Sequence, residues 1–139
     1  MTKLLLILVT TAAAGNLFIA NAIAVQITAP AIKAARIQIT QGPNLESANE
    51  DSAIITWRSN NPGGSDEHYG VVRYGTNPRE LSQTAKSHIR LNQNHSYTVF
   101  RVLVPGLSPR TTYYYIVDSM QANGRSDGVK SKINRFMTR

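Results

Sequence analysis

The stretch Ser96-Tyr97-Thr98-Val99-Phe100-Arg101-Val102-Leu103-Val104-Pro105-Gly106-Leu107-Ser108-Pro109-Arg110-Thr111-Thr112-Tyr113-Tyr114-Tyr115-Ile116-Val117-Asp118 decides the fold class. Its two halves, Ser96–Val104 and Thr112–Asp118, are rich in β-branched and aromatic residues, and Pro105-Gly106 separates them. Period-two spacing sorts each half into two faces. Phe100, Val102 and Val104 share one face of the first run; Tyr97, Val99, Arg101 and Leu103 share the other. Arg101 marks that second face as the wet one, because a charged side chain is rarely buried unpaired. In the second run Tyr113, Tyr115 and Val117 point one way, and Tyr114, Ile116 and Asp118 the other. Two alternating runs separated by such a break read as two β-strands.

The texture continues outward in both directions. Ile37–Thr40 alternates, and Gln41-Gly42-Pro43-Asn44 reads as a turn. Ser52–Trp57 is the next strand, ended by Asn60-Asn61-Pro62-Gly63-Gly64. Tyr69–Tyr74 follows, closed by Gly75-Thr76-Asn77-Pro78. Beyond the turn at Ala122-Asn123-Gly124, Lys132–Thr138 forms the last run. No segment shows sustained helical periodicity with caps, and no repeat or low-complexity tract is present. Short strands between Gly, Pro and Asn turns predict an all-β sandwich or barrel. One face from each strand supplies a core of Ile55, Trp57, Val72, Tyr74, Phe100, Val102, Val104, Leu107, Tyr113, Tyr115 and Val117. Its aromatic members have the spacing of core residues and not of an exposed sugar platform.

With 139 residues the chain has room for one ordinary domain. The absence of cysteine excludes a disulfide scaffold, a thiol nucleophile and a Cys-ligated zinc. Met1-Thr2-Lys3, the apolar run from Leu4 and the small-residue end Ala22-Ile23-Ala24 describe a secretory signal peptide over residues 1–24. Gly15, Asn16 and Asn21 interrupt the run, which disfavours a retained membrane anchor. Cleavage before Val25 leaves 115 residues with net charge +6, against +7 for the whole chain. Residues 25–36, with Pro30, read as a linker or first edge strand, and residues 37–139 as the folded domain. The expected product carries no transmembrane segment and is secreted, to a periplasm or to the medium.

Leu107-Ser108-Pro109-Arg110-Thr111-Thr112-Tyr113 resembles the L-x-P-x-T-x-Y signature of fibronectin type III domains, and Ile55-Thr56-Trp57 their core Trp strand. The resemblance implies an immunoglobulin-like antiparallel β-sandwich of about seven strands, with Tyr113 as the corner tyrosine whose hydroxyl bonds to upstream backbone. Three segments bring the chain closer to the fibronectin-III-like domain that precedes the catalytic domain of purple acid phosphatases. These are Ile39-Thr40-Gln41-Gly42-Pro43, Val72-Arg73-Tyr74-Gly75-Thr76-Asn77-Pro78 and Arg135-Phe136-Met137-Thr138. That likeness covers residues 37 to 139. The phosphatases use a two-metal site on a following domain; its Asp-x-Asp and Gly-Asn-His-Glu segments have no counterpart in these residues. The expectation is therefore a module with no catalytic residue, no metal and no cofactor.

Candidate sites are few. Asp66-Glu67-His68 holds three metal-capable side chains in a row, but neighbours in a row do not converge on one ion, and beside Gly63-Gly64-Ser65 they read as decoration of a solvated loop. His88 and His95 have no motif partner and read as solvated loop or strand-end residues. Asn94-His95-Ser96 fits a glycosylation acceptor, a short and common pattern. Charge is more informative. Residues 25–67 carry net charge −2 and residues 68–139 carry +8. Arg125, Lys130, Lys132 and Arg135 form a basic stripe about the last strand, suited to an anionic ligand, though Lys and Arg on an outer strand also discourage aggregation. The exposed aromatics that could assist are Tyr69, Tyr97 and Tyr114. The expected function is a secreted, non-catalytic binding or adaptor module. Its partner would be an anionic polysaccharide, a cell-surface component or a separate catalytic protein, and not nucleic acid. The alternatives are an accessory or remnant part of a metal-dependent acid phosphatase, and a structural surface protein that assembles through sheet edges.

Overall fold

The structure, a computed structural model, describes residues 36–91 and 94–139. The signal peptide expected over 1–24 and the linker expected over 25–36 lie outside the described residues, apart from Arg36. Eight strands follow one another: β1 (Ile39–Ala48), β2 (Ala53–Asn60), β3 (Glu67–Gly75), β4 (Gln83–Arg90), β5 (Tyr97–Val104), β6 (Thr112–Gln121), β7 (Ser126–Lys130) and β8 (Asn134–Met137). They form two antiparallel sheets. One has the order β1-β2-β5; the other has the order β4-β3-β6-β7, with β8 also on β6. The chain crosses between sheets after β2, β4 and β5, which is the Greek-key connectivity of an immunoglobulin-like sandwich.

Register explains the core. Residues directly opposite in an antiparallel pair lie on the same face. Across β2 and β5, Ile55 opposes Val102 and Trp57 opposes Phe100, whose rings stack with centroids 5.0 Å apart. Across β3 and β6, Val72 opposes Val117 and Tyr74 opposes Tyr115. The eleven residues expected to be inside are all buried, and Ala48, Ala53, Ala85 and Phe136 join them in one cluster. Along β5 the buried Thr98, Phe100, Val102 and Val104 alternate with exposed Val99, Arg101 and Leu103. Arg101 there holds Glu46 of β1 by a two-pronged ion pair.

Three local expectations are corrected. Gln41-Gly42-Pro43-Asn44 is not a turn between elements: it lies inside β1, which shifts register against β2 there and continues to Ala48. Gly42 permits this with φ of +82°, and a Cβ on it would sit 3.0 Å from the Thr56 carbonyl oxygen. The last expected strand, Lys132–Thr138, is in fact two short ones. β8 covers the N-terminal half of β6, β7 covers its C-terminal half, and the chain breaks between them at Ser131, whose hydroxyl accepts the Val117 N–H. Lastly, β4 occupies a stretch that sequence patterning left unassigned. It is a polar edge strand in which Ala85 is the one fully buried side chain, so it carries almost no alternation signal.

Candidate functional site

Of Asp66-Glu67-His68, Asp66 lies in the loop as expected, and the other two do not. Glu67 and His68 open β3, where the pleat sends neighbouring side chains to opposite faces. Glu67 points outward and meets His88 and Arg90 of β4. His68 points inward and is fully buried, with its Nε2 3.2 Å from Asp127 Oδ1. The other oxygen of Asp127 accepts the Ser119 hydroxyl at 2.6 Å. Ser, Asp and His thus lie together, but the order is wrong for nucleophilic catalysis. The carboxylate stands between hydroxyl and imidazole, so the imidazole does not abut Ser119, and Ser119 itself is sealed from solvent. With Thr98 bonded to Asn61 at 2.7 Å, these groups make one end of the core polar. Among the described residues no three His, Asp or Glu side chains are gathered in a way that could hold a metal ion.

His88 is exposed in the middle of β4 and packs edge-on against Tyr69, with ring centroids 5.3 Å apart. It is a strand residue, although solvated as expected. His95 stacks on Tyr97, and the Arg58 guanidinium lies 4.2 Å from the centre of that same ring. Asn94 is exposed in the connection between β4 and β5.

The four cations of the basic stripe are all exposed. Arg125 closes the turn between β6 and β7, where its carbonyl accepts the Gln121 N–H at 2.8 Å. Lys130 ends β7, directly opposite Asp118 of β6. Lys132 lies in the break before β8, and Arg135 in β8 opposes Tyr114. Lys130 and Lys132 come together on one wall of an open cleft of about 540 Å³, whose other wall includes Arg36, Ile37, Gln38 and Pro43. Arg125 and Arg135 do not line it. Among the described residues none of the four is in an ion pair, whereas Arg101 is held by Glu46 and Arg90 lies 3.8 Å from Glu67.

Asp118 is the group that patterning did not single out. It stands on the outward face of β6, yet it is buried. Its carboxylate accepts the Ser119 N–H at 2.7 Å and lies within reach of the charges of Arg73 and Lys130. Burial nevertheless dominates and raises its pKa above the ordinary carboxylate value.

The corner expected at Tyr113 is present. Its phenol oxygen accepts the Ser108 N–H at 2.9 Å. The sequence model of the family described as purple acid phosphatase, N-terminal domain, matches residues 40–138. The chain belongs to this family. The match spans β1 to β8 and includes the corner, the Val72–Pro78 segment and Phe136. This purple acid phosphatase N-terminal-type domain is similar in fold to the sensor domain of the anti-sigma factor RsgI4 from Pseudobacteroides cellulosolvens. The TM-score is 0.52 at 18% identity, over 76% of this chain and 97% of that one. A longer form of the same sensor domain aligns with TM-score 0.50 and 17% identity, over 73% and 88% of the two chains. No curated protein matches the chain in sequence. Among the described residues no helix is long and apolar enough to cross a membrane.

Proposed function

We propose that this domain is a secreted, non-catalytic binding or adaptor module, and that its ligand is anionic and held by Arg125, Lys130, Lys132 and Arg135. The observation that carries the reading is the arrangement of those cations. They sit exposed along the outermost strands and the turns beside them, outside every ion pair among the described residues, whereas Arg90 and Arg101 have Glu67 and Glu46 as partners. Unpaired cations on one side of a small domain produce a positive potential that attracts polyanions. Secretion rests on the leader pattern of Met1–Ala24, and a mature N-terminus at Val25 in the exported product tests that part. Heparin chromatography tests the ligand class. The wild-type protein should need moderate salt for elution, and reversal of the four charges should remove the retention. Elution at trivially low salt, unchanged by the reversal, would contradict the proposal.

Family membership favours a second reading, in which the domain serves a separately encoded metallophosphatase as an accessory. Co-purification of such an enzyme with the exported domain is its test. Phosphomonoester hydrolysis by the purified chain alone would overturn the non-catalytic assignment in both readings.

A further inference from the structure

An antiparallel strand bonds its two neighbours through alternate residues. The Asn61 N–H donates to the Ser96 carbonyl, so Ser96 faces β2. Register runs unbroken from there, with Asn60 opposite Tyr97 and Ala53 opposite Val104. Thr98, Phe100, Val102 and Val104 therefore bond to β2. The N–H and C=O groups of Tyr97, Val99, Arg101 and Leu103 point the other way, to the free edge of the β1-β2-β5 sheet. They have no hydrogen-bond partner among the described residues. The side chains beside them are open: Val99 is 51% exposed and Leu103 53%. An open cleft of about 370 Å³ lies beside the first half of this edge, between Ile89 and Arg90 of β4 and Tyr97, Thr98 and Val99 of β5.

Every other edge carries a device against strand pairing. β1 shifts register at Gly42-Pro43. β7 is five residues long and holds Gly128 at φ of +79°, and β8 is four residues long. β4 presents exposed Lys86, His88 and Arg90. β5 has none of these. Its eight residues contain no Pro, no Gly and no bulge, and its single charge, Arg101, is taken up by Glu46.

We infer that this edge is a dimer seam, at which β5 pairs antiparallel with β5 of a second copy about a two-fold axis at Phe100. One register satisfies the strand. Tyr97 then opposes Leu103 of the second copy and Val99 opposes its Arg101, so every N–H and C=O of the four edge residues is bonded. Moving the axis to Arg101 sets two guanidinium groups opposite each other and puts Tyr97 against Pro105, which has no N–H. Moving it to Val99 leaves Leu103 opposite His95, outside the strand. A second copy suits this edge because it brings a strand equally long, apolar and regular, and its Arg101 stem covers Val99. Such a contact is isologous, and once paired β5 offers no further edge, so the assembly closes at two copies. The seam is on the β4 side of the sandwich, whereas β7 and β8 lie beyond β6 on the far side. It therefore leaves the basic stripe free and does not depend on the anionic-ligand reading.

The test is sedimentation of the exported protein over about 1–500 µM, because a seam of one strand pair is small and should hold in the micromolar range. A monomer–dimer equilibrium is expected. Salt should strengthen it, since the copies carry like charge, whereas salt weakens polyanion binding. Val99→Lys sets a cation opposite Arg101 of the second copy and should abolish the dimer. Val99→Pro removes an N–H that faces the seam and none that faces β2, so it should also leave a monomer; thermal melts confirm that both variants fold. The chain has no cysteine, so engineered disulfides report the register. Tyr97→Cys/Leu103→Cys should give a covalent dimer on oxidation. Leu103→Cys alone should not, because the two copies of that position stand about six residues, or roughly 20 Å, apart along the seam. A monomer at every concentration overturns the inference. So does a dimer that survives both Val99 variants, cross-linking by Leu103→Cys alone, or growth beyond two copies. Capture of a synthetic peptide of residues 97–104 by a chain that itself stays monomeric assigns the edge to a foreign strand and overturns the second copy.

Discussion

At Tyr113 the phenol ring and the phenol oxygen have different tasks. The ring stacks on Phe136 with centroids 5.7 Å apart and meets Tyr74 edge-on, which joins β6 to β8 and β3 inside the core. The oxygen holds the Leu107–Thr112 turn through the Ser108 N–H. Thr138 secures the same turn from the opposite side. Its hydroxyl donates to the Ser108 carbonyl at 2.6 Å and accepts the Thr111 N–H at 2.9 Å. The Tyr113 bond lies at a partly wet turn, so Tyr113→Phe should cost about 1 kcal/mol in urea unfolding. Thr138 is buried and makes two such bonds, so Thr138→Val should cost about 2 kcal/mol and exceed the first loss. The corner was legible in sequence because its motif is local. Thr138 acts on residues 27 and 30 positions away, and no local pattern announces that. His68 lies between these cases: Val72 and Tyr74 share the inner face of β3, and counting back in twos reaches Gly70 and then His68. The signal was there, but polarity and flanking glycines pointed to a loop. Asp127, which lies 3.2 Å from the imidazole, is placed by tertiary contact alone.

Among the elements, the long apolar strands β2, β5 and β6 announce themselves, because one face is buried and alternation is its direct consequence. The edge strands do not. β4 and β7 are polar, as exposed edges must be if they are to avoid pairing with other chains. β7 also contains Gly128 at φ of +79° and keeps only two register pairs with β6, on either side of an irregularity. In β1 the Gly42-Pro43 pair mimics a turn signal that the sheet absorbs as a bulge. β3 also contains a packing constraint between the two sheets. Gly70 faces inward, and a Cβ there would stand 2.9 Å from Val102 Cγ2, 3.0 Å from Trp57 Cη2 and 3.1 Å from Phe100 Cδ1. The sheets therefore meet over this glycine. Gly70→Ala should destabilise by about 1–3 kcal/mol through overpacking, measured as a lower unfolding midpoint. In the double variant Gly70→Ala/Val102→Ala, which frees one of those contacts, the loss should be less than the sum of the two single losses.

Over the whole molecule, charge is distributed by architecture. Five of the eleven cations of residues 68–139 lie on β3, β4, β7 and β8, and one, Arg101, on the other sheet, so a bias along the chain becomes a bias of one sheet. Asp118 is one of three acids on the strands of that sheet, with Glu67 and Asp127, and it leaves a pH signature. Its pKa is raised in the folded state, first by burial, against the smaller opposing effects of the Ser119 N–H, Arg73, Lys130 and Ser126. The native protein therefore binds this proton more tightly than the unfolded chain does. The contribution of Asp118 to stability is most favourable below the ordinary carboxylate pKa and declines as pH rises through the raised value. Asp118→Asn retains an oxygen to accept the Ser119 N–H and removes the buried charge. It should raise Tm at neutral pH, and its advantage over wild type should vanish in acid. Thermal melts of both proteins across pH 3–8 check this.

Sequence by itself determined the fold class, the core and the corner, because burial of one face imposes a period of two and a tight turn imposes its own residues. It also determined the sign of the charge bias. The tertiary structure decided which cations share a surface. Lys86 and Lys130 are 44 positions apart in sequence and stand at the two ends of one row, because four strands bring them into register. It also decided that Glu67 and His68 divide between the outer and inner faces of β3, and that Asp118 and the side chain of Asp127, both on strands of a basic sheet, are buried. Burial of a polar group depends on what the neighbouring strands place over it, and strand order is a non-local property that alternation along one strand does not encode.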